Sequence, residues 1–274
     1  MGISGTTRIY AVVGDPIAHT LSPAMHNAAI RTLGLDAVYV AARSSPQALP
    51  GLVFGILTAG GGLNVTLPFK LQAAGLVDHP TDAVRRTGAC NTIWGDPDHP
   101  SGDNTDVDGI RLELRRLTAG TPVGSVLVVG TGGSARAGAV AVSEEFPGAH
   151  LAVRSRDKGR SGVFAEWAWS VGVDCHPVHR DGAVDLMIST VPLDAQLAGQ
   201  VPPDLYDFQP KVVLDLAYAP GGTPVTRAFA ERGCVTSDGL GVLIGQGAAA
   251  FQRFFGVPAP TDVMRHAVED ALGR

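Results

Sequence analysis

The chain has 274 residues, 45% of them hydrophobic and 17% charged, with a formal net charge of -5. That length suits two domains, and the composition suits well-cored globular units rather than a disordered chain. The acidic balance, without a basic run, excludes nucleic acid as the main partner, and no glycine-free apolar stretch is long enough to span a bilayer.

Arg8 to Val13 read as a short apolar strand ending in Gly14-Asp15-Pro16-Ile17. Ser22-Pro23 has the form of an N-cap with proline at the first helical position, and a helix continues to Leu33. Val38 to Ala42 form a second strand and Gln47 to Leu57 a helix. Gly60-Gly61-Gly62 breaks the chain before the alternating strand Leu63 to Leu67, and a helix begins at Lys70. This βα alternation implies a small sheet with crossover helices. Asp82 to Arg86 make an amphipathic turn, and Gly88 to Trp94 a strand with polar residues at its mouth. Gly95 to Gly102 read as a loop, and Asp103-Asn104-Thr105-Asp106 precedes a helix from Val107 to Leu117.

Ser125 to Val129 is a buried parallel strand that breaks into Gly130-Thr131-Gly132-Gly133-Ser134-Ala135 and then a helix of small residues. Gly130, Gly132 and Ala135 match the spacing of a dinucleotide-binding turn. The first glycine allows the turn, the second lets pyrophosphate approach, and the small third residue lets helix and strand touch. A plain strand-to-helix connector has the same look. Ala149 to Val153 is the next strand; a helix near Val163 to Val171, strands Val184 to Ser189 and Lys211 to Leu216, and a helix Val225 to Glu231 follow. Helices Val242 to Phe255 and Asp262 to Leu272 close the chain.

The second strand of this unit ends in Arg154, Ser155, Arg156 and Lys158, where a 2′-hydroxyl-binding site would carry an acid. Cations there suit a 2′-phosphate, so NADP is preferred over NAD, with a solvated basic loop as the plain alternative. Lys70 follows a polar strand end and Asp106 opens a helix beyond a polar loop, which makes a proton-transfer pair or a simple ion pair of them. The histidines form no triad or metal set, and His19 and His26 read as structural. Cys90, Cys175 and Cys234 lack metal-ligand spacing, so no metal is expected; inert thiols suit a cytoplasmic setting.

Taken together, Gly14 to Pro23 with His26-Asn27, Asn64-Val65-Thr66-Leu67-Pro68-Phe69-Lys70, Gly88 to Thr92, Asp103 to Asp106, and Asp238 to Gly241 with Gln246 resemble the shikimate/quinate dehydrogenase family. The resemblance implies two α/β domains with a cleft between them. One, residues 1–106 plus 240–274, would be a substrate-binding domain with a small mixed sheet; the other, 107–239, a doubly wound Rossmann-type NADP domain. It implies reversible NADP-linked reduction of 3-dehydroshikimate to shikimate, in the route to chorismate and the aromatic amino acids, by a cytoplasmic monomer or homodimer. Lys70 and Asp106 fall on the family's catalytic pair. Thr20 and Ser22 fall on carboxylate-binding positions, Asn64, Thr66, Asn91 and Gln246 on ring-hydroxyl positions, and Tyr218 on a substrate-side tyrosine. Gly130, Gly132, Gly133, Ser134, Ala135, Arg154, Ser155, Lys158, Thr190 and Gly239 make up the implied cofactor set. Thr20 stands where the family commonly has serine and Val153 where it commonly has asparagine. An NAD-dependent quinate/shikimate dehydrogenase and a non-catalytic metabolite sensor are the alternatives.

Overall fold

The β-branched stretches pair into two six-stranded sheets in the computed structural model, which describes residues 2–178, 182–199 and 205–273. Chain contacts divide it into two units, Met1–Gly109 with Leu243–Arg274, and Ile110–Val242. The first part of the chain runs β1 (Arg8–Gly14), α1 (Ser22–Thr32), β2 (Ala37–Arg43), α2 (Leu49–Thr58), β3 (Gly62–Val65), α3 (Lys70–Ala74) and β4 (His79–Pro80). It continues through α4 (Asp82–Thr87), β5 (Thr92–Gly95), β6 (Pro100–Asp103) and α5 (Asp106–Thr118). Then come β7 (Ser125–Val129), α6 (Gly133–Glu145), β8 (His150–Arg154), α7 (Lys158–Ser170), β9 (Cys175–Pro177), β10 (Ala183–Ser189) and α8 (Leu193–Leu197). The last elements are β11 (Gln209–Asp215), α9 (Pro224–Ala230), β12 (Val235–Ser237), α10 (Leu240–Phe255) and α11 (Thr261–Leu272).

In the first unit the sheet order is β2-β1-β3-β5-β6-β4. β1 pairs parallel to β2 and β3 because α1 and α2 cross over between them, whereas β3–β5 and β5–β6 are antiparallel. Ala11, Val13, Leu63, Val65 and Ile93 from the strands meet Leu49, Val53 and Leu57 of α2 in one core. Gly60 to Gly62 is packed rather than loose. A Cβ on Gly61 would stand 1.7 Å from the carbonyl oxygen of Ile9, and one on Gly62 2.7 Å from the ring of Phe254 in α10. α11 packs on α1, so the end of the chain completes the unit that its beginning starts.

The second sheet is parallel throughout, with order β12-β11-β10-β7-β8-β9. Counted from β7, that is the doubly wound arrangement, with its switch point between β7 and β10. α6 lies close because its inward residues are small: Ala135, Ala137 and Ala139 are fully buried.

Several elements differ from the sequence reading. Ser22 is the first residue of α1 and Leu21 its cap, with no side-chain cap bond. The strand expected from Gly88 begins only at Thr92, because Gly88 closes α4 at φ 62 and the next residues run irregularly. The expected loop Gly95 to Gly102 contains most of β6, paired to β5 despite its proline and glycine. α7 begins at Lys158, ahead of the expected Val163, because the Asp157 carboxylate caps it by accepting from Gly159 N at 2.8 Å and Arg160 N at 3.3 Å. The short β4, β9, β12 and α8 have too few residues to show a period.

His26 is fully buried and lies flat on Tyr39, with ring centroids 4.2 Å apart and planes 6° from parallel. Neither ring nitrogen has a hydrogen-bond partner among the described residues. Burial pushes its pKa down to about 3. The unfolded chain therefore binds a proton between about pH 6.5 and 3 that the folded chain refuses, and stability falls as pH drops through that window. His26→Phe keeps the stacked ring without the titration. Denaturant unfolding at pH 7, 5 and 4 should show the wild type losing up to about 1.4 kcal/mol more per pH unit than the variant. Parallel pH curves would contradict this account.

Candidate active site

The first unit gathers its polar side chains where β3 ends and where β5, α3 and α5 begin. β3 is central and wholly buried, so its exit carries Thr66 to Lys70 straight out of the core. Gly14 makes room for this exit: a Cβ there would lie 2.5 Å from Thr66 Cγ2. Lys70, first residue of α3, donates from Nζ to Asp106 Oδ2, and both side chains are nearly buried. The other carboxylate oxygen accepts from Asn91 Nδ2 at 2.8 Å. Asn91 is itself held, because its Oδ1 accepts from Thr105 N at 2.8 Å and from the Thr92 hydroxyl at 2.8 Å. A donor, a carboxylate and an orienting amide thus form one chain with little rotational freedom.

The turn Asp103 to Asp106 separates four tasks. Asp106 faces Lys70 and Asn91, and Thr105 faces Asn91 and Thr92. Asn104 donates from Nδ2 to the Thr87 hydroxyl at 3.0 Å. Asp103 accepts from Thr81, from the amide of Asn104 and from Arg253 of α10.

Asn64 has its amide committed to protein. Nδ2 donates to Asn91 O at 3.1 Å and to the Thr92 hydroxyl at 3.0 Å, while Oδ1 accepts from Tyr39 Oη at 2.7 Å. What remains free for a ligand is acceptor capacity on Oδ1. Thr20 and Ser22 stand together, with Thr20 Oγ1 donating to Ser22 Oγ at 3.3 Å. Because Ser22 does not cap α1, its hydroxyl is not spent on the helix end. Half-buried Gln246 lies on α10 and donates to Leu243 O at 2.9 Å. Thr66 is half-buried, with its backbone amide bonded to Val13 O at 2.8 Å.

In the second unit Gly130 ends β7 at φ 116, a left-handed value that favours glycine. A Cβ there would also lie 2.1 Å from the hydroxyl of Thr190, which follows β10. Gly130 and Thr190 therefore meet where β7 and β10 flank the switch point. Gly132 begins α6 without a side-chain cap or an acid in the first turn, and a Cβ on it would meet nothing within 4 Å. Gly133 and Ser134 open the helix, so its start offers unscreened positive partial charge beside open space. Arg154 ends β8, its carbonyl accepting from Gly130 N at 2.8 Å. Arg156 and Lys158 are exposed, while the Ser155 hydroxyl turns to Asp157 O at 2.5 Å. Asp157, the acid of this loop, is occupied in capping α7. These residues fit a phosphorylated dinucleotide.

Gly239 approaches the chain after β11 so closely that a Cβ would lie 2.1 Å from Leu216 O. Half-buried Tyr218 belongs to that segment. The buried Asp215, which the sequence reading passed over, accepts there from Gln196 at 2.8 Å and Thr223 at 2.6 Å. Burial raises its pKa to about 6. Tyr39 was also passed over, since in a run of strand formers its hydroxyl gives no signal. Thr105 shows in the sequence as one polar residue of a cluster, with nothing to set it apart.

Among the described residues no His, Cys, Asp and Glu cluster could hold a metal, and no helix is long and apolar enough to cross a membrane. Residues 12–93 match the family model for the shikimate dehydrogenase substrate binding domain, and residues 239–269 that for the shikimate 5'-dehydrogenase C-terminal domain. A shikimate dehydrogenase (NADP(+)) of Microcystis aeruginosa is 36% identical over 97% of this chain and 98% of its own. One from Methanothrix thermoacetophila is 37% identical over 97% and 98%. The crystal structure of shikimate 5-dehydrogenase from Thermus thermophilus with NADP(H) and shikimate superposes with a TM-score of 0.83 at 32% identity, over 97% of this chain and 100% of that one. With two α/β units, one mixed sheet and one doubly wound, and relatives alike over nearly its whole length, the chain belongs to the shikimate dehydrogenase family.

Proposed function

We propose that the protein catalyses the reversible, NADP-dependent reduction of 3-dehydroshikimate to shikimate, in the cytoplasm and on the route to the aromatic amino acids. The observation that carries this reading is the Lys70–Asp106–Asn91 chain in a member of this family. Bound nicotinamide supplies or accepts the hydride. The protein's task is to hold the ring and manage the hydroxyl proton. Lys70 Nζ binds the reacting oxygen, stabilises its developing negative charge and relays its proton. Asp106 orients Nζ and the substrate hydroxyl, and Asn91 fixes Asp106. Thr20 and Ser22 hold the ring carboxylate, while Asn64, Thr66, Gln246 and Tyr218 meet its hydroxyls. Gly130 to Ala135, Thr190 and Gly239 cradle the dinucleotide, and Arg154, Ser155 and Lys158 face its 2′-phosphate. An end of β8 whose acid, Asp157, caps α7 does not favour an NAD enzyme. A proton-handling pair fixed this firmly does not favour a mere sensor.

Replacing Lys70 by alanine should lower kcat for shikimate oxidation by about a hundredfold or more while KM changes far less. A near-native kcat would remove Lys70 from the chemistry. For Arg154→Ala, initial rates against NADP should show KM raised about ten- to hundredfold at nearly constant kcat, the loss expected for one charge-assisted partner. An unchanged KM would place the phosphate elsewhere. Ser22→Ala should raise KM for shikimate about tenfold with NADP affinity intact. Thr20→Ser, which removes only a methyl, should keep shikimate turnover and shift the shikimate-to-quinate ratio. If Ser22→Ala changed only thermal stability, the carboxylate would not be bound there.

A further inference from the structure

A nearly buried carboxylate that the proposed chemistry leaves unused stands at the head of the turn that carries Asp106. The Asp103 side chain is 3% exposed. Its Oδ1 accepts from the Thr81 hydroxyl at 2.6 Å and from the backbone amide of Asn104 at 2.8 Å. Its Oδ2 accepts from Arg253 Nε at 2.9 Å. Its backbone carbonyl accepts from Asn91 N at 3.0 Å. One residue therefore grips both the strand end bearing Asn91 and the turn bearing Asp106, and ties both to α10.

The α10 end of that tie is equally placed. Arg253 follows Gln246 by two helical turns and shares its face of the helix. Its guanidinium sits 5.9 Å from the ring centroid of Trp94 in β5, so it is held over the sheet as well as against the carboxylate. The contact to Asp103 uses a single guanidinium nitrogen, which asks for a cation rather than for arginine's full fork.

We infer that Asp103 and Arg253 are a positioning pair, which holds the Gln246 face of α10 in register with the Asp103–Asp106 turn and so sets Asp106 and Asn91 for Lys70. This rests on Lys70 and Asp106 being the reacting pair. Without the cation, Oδ2 of the buried carboxylate loses its partner, and as the side chain turns its grip on the Asn104 amide shifts the turn. Displacements of this kind, on the order of 1 Å, cost turnover even when made away from the reacting atoms.

The test is steady-state kinetics of Arg253→Met, Arg253→Lys, Asp103→Asn and the double variant Arg253→Met/Asp103→Asn. Lys70→Ala is run alongside, and NADP binding is followed by fluorescence titration. Arg253→Met and Asp103→Asn should each lower kcat about tenfold and raise KM for shikimate severalfold, with NADP affinity unchanged. Arg253→Lys should recover most of the lost turnover, and the double variant should be no worse than the poorer single one. Native kcat and KM with only a lowered melting temperature would show a merely structural clip and overturn the inference, as would additive losses in the double variant. Should Arg253→Met not fold, Arg253→Gln and Arg253→Lys carry the same comparison. If Lys70→Ala itself keeps native kcat, the underlying reading fails; if it loses kcat while the Arg253 and Asp103 variants do not, the positioning pair alone fails.

Discussion

The site depends on the carboxylate of Asp106 having each of its oxygens bound to a different element. Lys70 at the start of α3 takes one and Asn91 before β5 takes the other, while Asp106 itself begins α5. A carboxylate so little exposed to water is costly to fold unless its lone pairs are met. Meeting them requires three separate segments to arrive in one arrangement. The order of the sheet delivers them, because β3 and β5 are neighbours and β5 pairs with β6 next to the turn. In the proposed reaction the same constraint would make the pair useful chemically. Groups that need not reorganise during proton movement stabilise the developing charge at little cost.

The second unit works with different physics. The surface proposed for the dinucleotide is mostly backbone: an uncapped helix start beside the switch point, with glycine where any side chain would strike Thr190. Under the proposed function side chains enter at the end of β8, where Arg154 and Lys158 would supply charge while the Asp157 carboxylate caps α7. Under the proposed function a ring with several hydroxyls would be read in the first unit by hydroxyls and amides, which discriminate through direction. Phosphates would be read in the second by partial and full positive charge, which discriminate through sign.

Legibility in the sequence followed the same division. Long β-branched runs and helix periods showed at once, so β1, β7, β10 and β11 stood within a residue or two of their places. β4, β9 and β12 are two or three residues long and carry no period, and β6, with a proline and a glycine, looked like a loop. Lys70 and Asp106 could be named as candidates, but that their side chains touch is a fact of sheet order, across 36 positions of chain. Tyr39 was invisible because a buried tyrosine in a strand looks like packing until its hydroxyl is seen on Asn64. Asp103 was visible as polar but not as buried, since burial there is imposed by α10 from far along the sequence. Ser22 was legible as a helix start, yet the helix takes it in rather than being capped by it.

The triple glycine ahead of β3 has a bearing on how the chain comes off a ribosome. Gly62 leaves a flat seat that the ring of Phe254 fills, and α1 is the bed on which α11 lies. Both covers belong to the last thirty or so residues, whereas Ile110–Val242 is contiguous and carries its own core. During synthesis the earlier-made unit must wait with its seat open while the later one completes, which reverses the usual order of N-terminal first. Among the surfaces uncovered in that interval is the ring of Tyr10, which lies 5.1 Å from that of Phe254 in the finished fold.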